Sequence, residues 1–187
     1  MRFSTVVLVA ALAVSGCGSP DSKKGDVAET AKRLQSSDEP VKFEALQAFL
    51  PGTDAIATAG WEKKDMTGMA LTVPMKGSQA SMTLKKGEAE VVIDIIDTVF
   101  NQSLYAPVAA YLGNGFYAST GNGYKKAVTV GGQPAFEEWN SKDRTSALTV
   151  LVGKRFLVHV LGTNVDNIEP VTFVAGQIDL TRLASLK

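Results

Sequence analysis

Residues 124–163 decide the fold, and they read YKKAVTVGGQPAFEEWNSKDRTSALTVLVGKRFLVHVLGT. Four runs rich in β-branched and aromatic residues lie at 125–130, 134–140, 146–152 and 155–162. The segments between them contain Gly-Gly, Lys-Asp-Arg and Gly-Lys, and short Gly-containing turns are typical of β-hairpins. We therefore predict a meander of four antiparallel strands in this part of the chain.

The last strand of the meander shows how its side chains divide between the two faces of the sheet. Three apolar residues share the face that we predict to be buried against a C-terminal helix: Phe156, Val158 and Val160. His159 lies on the other face with Leu157 and Leu161, so we expect both faces to be partly covered. Arg155 is the first residue of the predicted strand, and we expect it near water.

A second hairpin is predicted upstream, where residues 81–84 and 89–100 flank the turn at 85–88. In its second strand Asp94 and Asp97 have an odd spacing, so they face opposite sides and cannot form a glycosidase-type pair. Asp97 shares its face with apolar residues. We expect it at the strand end, accepting backbone hydrogen bonds.

Helical spacing of apolar residues predicts helices at 40–50 and 102–112, and two more after the meander. Asp166 with Glu169 is predicted as a capping box, and Asp179 as the cap of the last helix. A further strand is predicted at 69–73. Together these elements indicate an α+β fold, with a mainly antiparallel sheet of about seven strands and helices packed on it. The order of elements resembles that of the sandwich folds of PsbP-like and Mog1-like proteins.

The first residues of the chain have the organisation of a bacterial signal peptide. Residues 5–14 carry no charge, and this run is shorter than the roughly 20 residues that a membrane-spanning helix needs. Val14, Ser15, Gly16 and Cys17 follow as an aliphatic residue, a small residue, Gly and Cys. This stretch resembles the lipobox of bacterial lipoproteins. The alternative is an ordinary secretory signal that leaves Cys17 as a free thiol.

The lipobox resemblance implies cleavage between Gly16 and Cys17 and a diacylglyceryl thioether on Cys17. Gly18 follows where an Asp tends to mark inner-membrane retention in Gram-negative lipoproteins. The resemblance therefore implies a cell-envelope protein at the outer membrane, facing the periplasm, or at the outer surface of a cell with one membrane. We expect residues 1–16 to be a signal peptide, 17–38 the lipidated cysteine and a tether, and 39–187 a single α+β domain.

Composition restricts the classes of partner. Lys plus Arg equals Asp plus Glu at 19 each, so net charge does not favour nucleic acid as a partner. Asn164, Asp166, Asn167 and Glu169 offer several oxygens, but the glycine pattern of an EF-hand is absent and helix capping explains the acidic pair. We therefore expect neither a metal nor a cofactor.

Five aromatic residues fall within a Gly-rich stretch of the chain: Tyr105, Tyr111, Phe116, Tyr117 and Tyr124. Such a cluster forms a binding surface for lipid, sugar or a partner protein, or else covers one end of the sheet. It is the candidate site that the sequence indicates best.

The sequence favours a membrane-anchored, non-enzymatic domain that binds a protein or a small ligand. One alternative is a carrier of small apolar molecules, which would need a deep apolar cavity. The other is an envelope hydrolase of unfamiliar type, which would need Ser119, His159 and an Asp to converge. No nucleophile elbow of the form Gly-x-Ser-x-Gly is present.

Overall fold

The computed structural model describes residues 39–72, 76–99, 109, 112 and 115–186. In chain order the helices and strands are α1 (Phe43–Gln47), α2 (Thr53–Thr58), β1 (Glu62–Leu71), β2 (Gly77–Lys86), β3 (Ala89–Asp97), β4 (Tyr117–Thr120), β5 (Gly123–Val130), β6 (Gln133–Asn140), β7 (Thr145–Val152), β8 (Phe156–Thr163), α3 (Glu169–Ala175) and α4 (Leu180–Ala184). The strands form one sheet in the order β1-β2-β3-β8-β7-β6-β5-β4. All of its strand pairs are antiparallel, which confirms the α+β class with a mainly antiparallel sheet.

Local turns explain why consecutive strands pair. The β5–β6 turn has positive φ at Gly131 and Gly132, and the β7–β8 turn has it at Gly153 and Lys154. Two central residues with positive φ are the mark of a type I′ turn, whose twist matches that of the flanking strands. The link between the N-terminal strands β1–β3 and the strands β4–β8 is the pairing of β3 with β8.

The sheet has eight strands among the described residues, where we expected about seven. β4 lies in the Gly-rich stretch before residue 125, for which we predicted no strand. β1 begins at Glu62 rather than near Met69, and nearly all of its residues are exposed. An exposed edge strand has no buried face, so it lacks the alternation by which strands are predicted.

The core lies on one face of the sheet, under the helices. Phe156, Val158 and Val160 are buried there, as predicted. α3 packs on β7 and β8 with Val171 and Ala175 buried. The opposite face, here called the outer face, carries mostly half-buried side chains, as we expected for a sheet covered in part on both sides.

The expectation that Arg155 lies near water is wrong. Its side chain is buried, and it forms an ion pair with Asp97 at the end of β3. The prediction for Asp97 is confirmed, because its carboxylate accepts hydrogen bonds from the backbone N–H groups of Val41 and Val99.

Helix boundaries agree with prediction only in part. α1 begins at Phe43, three residues after the predicted start at residue 40, and α2 was not predicted. The prediction of a capping box by Asp166 and Glu169 is wrong, because Asp166 pairs with Arg144, and the N–H of Glu169 donates to the side chain of Asn167 instead. Asp179 does cap α4, accepting a hydrogen bond from the N–H of Arg182.

Predictions for three parts of the chain lie outside the described residues. These are the signal peptide with Gly16 and Cys17, the tether at 17–38, and most of the helix predicted at 102–112. Among the residues that the structure describes, no helix is long and apolar enough to cross a membrane.

Candidate functional site

An aromatic patch lies on strands β4–β6, on the face that the helices cover elsewhere. We define it by three residues: Tyr117, Tyr124 and Trp139. Tyr124 lies directly opposite Trp139, and Tyr117 opposite Lys126, so all of them share one face of the sheet. The main contacts of the described helices are with β1, β2, β3, β7 and β8, so none of the described helices packs closely on this corner of the face.

A buried carboxylate holds the centre of the aromatic patch in place. The Tyr124 hydroxyl donates a hydrogen bond of 2.7 Å to Oε1 of Glu137. Lys126 Nζ lies 3.1 Å from the same oxygen and 4.8 Å from the centroid of the Tyr124 ring. Glu137 is buried and has two partners, so its charge is balanced and the Tyr124 ring has one fixed orientation.

The same contacts keep the Tyr124 phenol protonated. Burial raises the pKa of Tyr124 to about 12, and the hydrogen bond to Glu137 and the charge of that residue act in the same direction. The hydroxyl is therefore a neutral donor at physiological pH, committed to Glu137. A contact of Tyr124 with another molecule would therefore involve its ring.

Tyr117 is the exposed member of the aromatic patch. Its residue surface is 65% accessible, the highest value among the large hydrophobic residues that the structure describes as exposed. An exposed tyrosine offers an apolar ring and a polar tip, and such residues are enriched in binding surfaces. The patch thus combines one free aromatic side chain with one that is held fixed.

The described aromatic residues that the sequence analysis grouped as one cluster lie on different faces of the sheet. Phe116 packs on Phe136, with ring centroids 5.8 Å apart, and Phe136 lies on the outer face. Tyr117 and Tyr124 lie on the opposite face, and Tyr105 and Tyr111 lie outside the described residues. The described members therefore do not form one surface.

Trp139 was missed by the sequence analysis, although a signal for it was present. A two-residue turn at Gly131-Gly132 sets the register of β5 on β6, and this register places Tyr124 opposite Trp139 and Lys126 opposite Glu137. Counting outward from the turn would therefore have found the partners of Tyr124.

A row of polar side chains crosses the outer face from β2 to β7. The Asp94 carboxylate accepts hydrogen bonds from Ser81 and from Gln79. His159 lies opposite Asp94 in the register, and its Nδ1 lies 2.9 Å from the Thr149 hydroxyl. Desolvation by burial lowers the pKa of His159, while the charges of Asp94 and Glu138 act in the other direction.

The described residues do not assemble the trio that a hydrolase would need. Ser119 lies opposite Tyr124, on the helix side of the sheet, whereas His159 lies on the outer face. The ring of His159 is hydrogen-bonded to Thr149, and Asp94 is engaged by Ser81 and Gln79. Ser119 therefore lies on the other face of the sheet from His159 and Asp94.

The oxygen-rich loop before α3 has structural partners as well. Asp166 pairs with Arg144 at 2.9 Å, and Asn167 accepts a hydrogen bond from the N–H of Glu169. Within the described ranges there is no group of three His, Cys, Asp or Glu side chains that could hold a metal ion.

Two of the open cavities that the described residues line lie beside these features. One is a groove of about 390 Å³ on the outer face, and its lining includes the ion pair of Lys125 and Glu138. The other, of about 440 Å³, lies between the start of β1 and the loop before α3, and Trp61 and Phe173 contribute to its wall. Both volumes fall in the range of small-ligand sites, which is about 300–1,000 Å³.

Comparisons with known proteins identify no relative from which a function follows. No family model and no curated protein matches the chain. Among solved structures it is similar to a GTP binding regulator from Thermotoga maritima, at 14% sequence identity and a TM-score of 0.30. The match covers 68% of this chain and 82% of the other. A likeness of that size supports no inference about fold or function.

Proposed function

We propose that this chain is a bacterial lipoprotein of the cell envelope, held at a membrane by lipid on Cys17, whose domain binds a protein or a small ligand without catalysis. The lipobox at residues 14–17 supports the anchor. Two or three long acyl chains hold a protein stably on a bilayer, since each buried methylene contributes about 0.8 kcal/mol.

The observation that carries the binding proposal is the exposure of Tyr117 beside the fixed ring of Tyr124. A large aromatic side chain in water is a ready contact for a partner, because binding removes apolar area from water. Tyr124 loses little freedom on binding, since Glu137 already fixes it. The patch therefore favours association with a surface or with the flat face of a small molecule.

The point where the chain enters the domain supports this use of the aromatic patch. Arg155 Nη2 donates to the carbonyl oxygen of Glu39, and the N–H of Val41 donates to Asp97. This is the end of the sheet at which β3 finishes and β8 begins. Trp139 lies at the opposite end, near the last residue of β6. A lipid-anchored domain would thus present the patch away from its tether.

The anchor is tested by the intact mass of the mature protein. We expect a chain that begins at Cys17 and carries added acyl mass, and we expect Cys17→Ser to remove both the lipid and the membrane association. A wild-type protein that begins at Gly18, or that carries no acyl mass, would refute the anchor.

The binding surface is tested in cells with a photo-crosslinking amino acid at position 117. We expect it to trap a specific protein or a small-molecule adduct, and we expect the same probe at Thr172, an exposed position on α3, to trap neither. Equal products at the two positions, or none at Tyr117, would contradict the assignment of the aromatic patch.

The two alternative functions have their own readouts. A carrier would copurify with an apolar ligand, and this ligand would be lost when the groove beside Lys125 is filled by Ala147→Phe. A hydrolase would lose its turnover in His159→Gln without losing its fold. Neither result is expected if the domain binds its partner at the aromatic patch and has no catalytic activity.

A further inference from the structure

β1 is an edge strand of the sheet, and its first half is protected against pairing with another chain. Residues 62–65 are all charged, and the register on β2 shifts between Lys63 and Asp65. Asp65 Oδ1 accepts a hydrogen bond of 2.8 Å from the N–H of Met66. Charged side chains and irregular register are the devices by which natural edge strands avoid edge-to-edge association.

The second half of β1 has none of these devices. Residues 67–71 contain no charge, no proline and no shift of register. Met69 is 49% exposed and Leu71 is 36% exposed, and both lie on the outer face. Among the described residues no strand lies beyond β1.

The hydrogen bond of Met66 shows which backbone N–H and C=O groups of β1 point away from β2. Its N–H bonds the Asp65 side chain rather than β2, so it points away from the sheet. Backbone direction alternates along an antiparallel strand, and the N–H and C=O groups of Gly68 and Ala70 therefore also point away from β2. These groups form a template for another strand.

We propose that residues 67–71 pair with the same segment of a second copy of this chain, antiparallel and about a two-fold axis at Met69. Gly68 then hydrogen-bonds to Ala70 of the partner subunit. Met69 lies opposite its own copy, and Thr67 lies opposite Leu71 of the partner subunit. The contact is isologous, so it closes as a dimer and leaves no further edge of the same kind.

Charge and exposed apolar area favour a second copy as the occupant. In the antiparallel arrangement the charged residues 62–65 of the two copies lie at opposite ends, beyond the paired segment. A parallel arrangement would place Lys63 and Lys64 beside the same lysines. The axis at Met69 also brings the exposed side chains of Met69 and Leu71 from both copies together on the outer face, where they cover one another.

The test is disulfide formation by Met69→Cys in the full-length protein in membranes. The backbone N–H and C=O groups of Met69 point to β2, so Met69 and Met69 of the partner subunit form a non-hydrogen-bonded pair. The Cα–Cα distance in such a pair is about 4.5 Å. Disulfides form at about 4.4–6.8 Å. Under mild oxidation we expect a non-reducing gel to show a band at twice the monomer mass.

Ser119→Cys, at an exposed position on the opposite edge strand β4, is the matched control and should stay monomeric. No dimer from Met69→Cys, equal dimer from both variants, or an adduct with another protein would overturn the proposal. The wild-type protein, whose only cysteine is Cys17, shows whether Cys17 itself forms a disulfide. A disulfide dimer of the wild type would show that Cys17 is a free thiol, and the two variants would then be compared on a Cys17→Ser background.

Discussion

Arg155 forms a bidentate ion pair with Asp97, in which Nε donates to Oδ1 at 2.9 Å and Nη2 donates to Oδ2 at 2.8 Å. Asp97 ends β3, and Arg155 immediately precedes β8, the neighbouring strand. The N–H groups of Val41 and Val99 complete the hydrogen bonds of the carboxylate. This ion pair therefore fastens the entering chain to the ends of two adjacent strands.

Removal of Asp97 should destabilise the domain strongly. Asp97→Ala breaks the buried ion pair with Arg155 and removes the acceptor of two backbone N–H groups, and breaking a buried ion pair typically costs about 3–5 kcal/mol of unfolding free energy. Urea denaturation measures the change. Asp166→Ala breaks the exposed pair with Arg144 and is the matched control, since exposed pairs contribute about 0–1 kcal/mol. Equal midpoints for the two variants would contradict the structural role of Asp97.

Phe156 should be among the most sensitive positions of the core. Its side chain is fully buried, and truncation of a buried Phe to Ala costs about 3–5 kcal/mol. Phe173→Ala, at a partly exposed position on α3, is the control for the residue type and should have a much smaller effect. A Phe156→Ala variant that unfolds at the wild-type urea concentration would mean that the faces of β8 are reversed.

Gly68→Ala should destabilise the packing of α1 on the sheet. A Cβ at Gly68 would clash with Cδ2 of Phe43, so the Phe43 ring must move. Overpacking of this kind costs about 1–3 kcal/mol. On a Phe43→Ala background the same substitution should have almost no effect, and a cost that persists in the double variant would place the strain elsewhere.

The hydroxyl of Tyr124 should stabilise the domain in a defined pH range. Because its folded pKa of about 12 lies above the ordinary value of 10.0, its contribution is complete below pH 10.0 and is lost as the pH rises towards 12. An ultraviolet titration of tyrosinate should therefore contain a late component that Tyr124→Phe removes. Tyr117→Phe is the control, and it should leave this component in place.

His159 should weaken the domain in acid. Burial lowers its folded pKa below 6.5, so its neutral form is favoured in the folded state. Stability is then complete above pH 6.5 and declines as the pH falls through the folded pKa. Urea midpoints of His159→Gln should vary less with pH below 6.5 than those of the wild type. An identical acid dependence would show that other groups carry it.

Much of the meander could be predicted because its causes are local. Side chains alternate with a period of two, and the turns at Gly131 and Gly153 join neighbours in the chain, so the faces of Phe156 and Val158 follow from the sequence. β1 could not be predicted in full, since an exposed strand has no buried face to show in the pattern.

The candidate site was predictable only in its composition. Tyr117 and Tyr124 belong to the aromatic cluster that the sequence indicated, but the alternation of neighbouring residues puts Phe116 on the other side of the sheet. Trp139 joins the patch through strand register rather than through nearness in the chain. Composition therefore indicated the residue types, and the register selected among them.

By itself, the sequence determined the meander, the two faces of β8 and the resemblance of its first residues to a lipoprotein signal, because each depends on residues close together in the chain. Tertiary structure decided that β3 pairs with β8 and that Arg155 is buried against Asp97. An isolated arginine is expected in water, since burial of its charge is costly without a partner. That partner lies 58 positions away, and only the pairing of the two strands brings it within hydrogen-bonding distance.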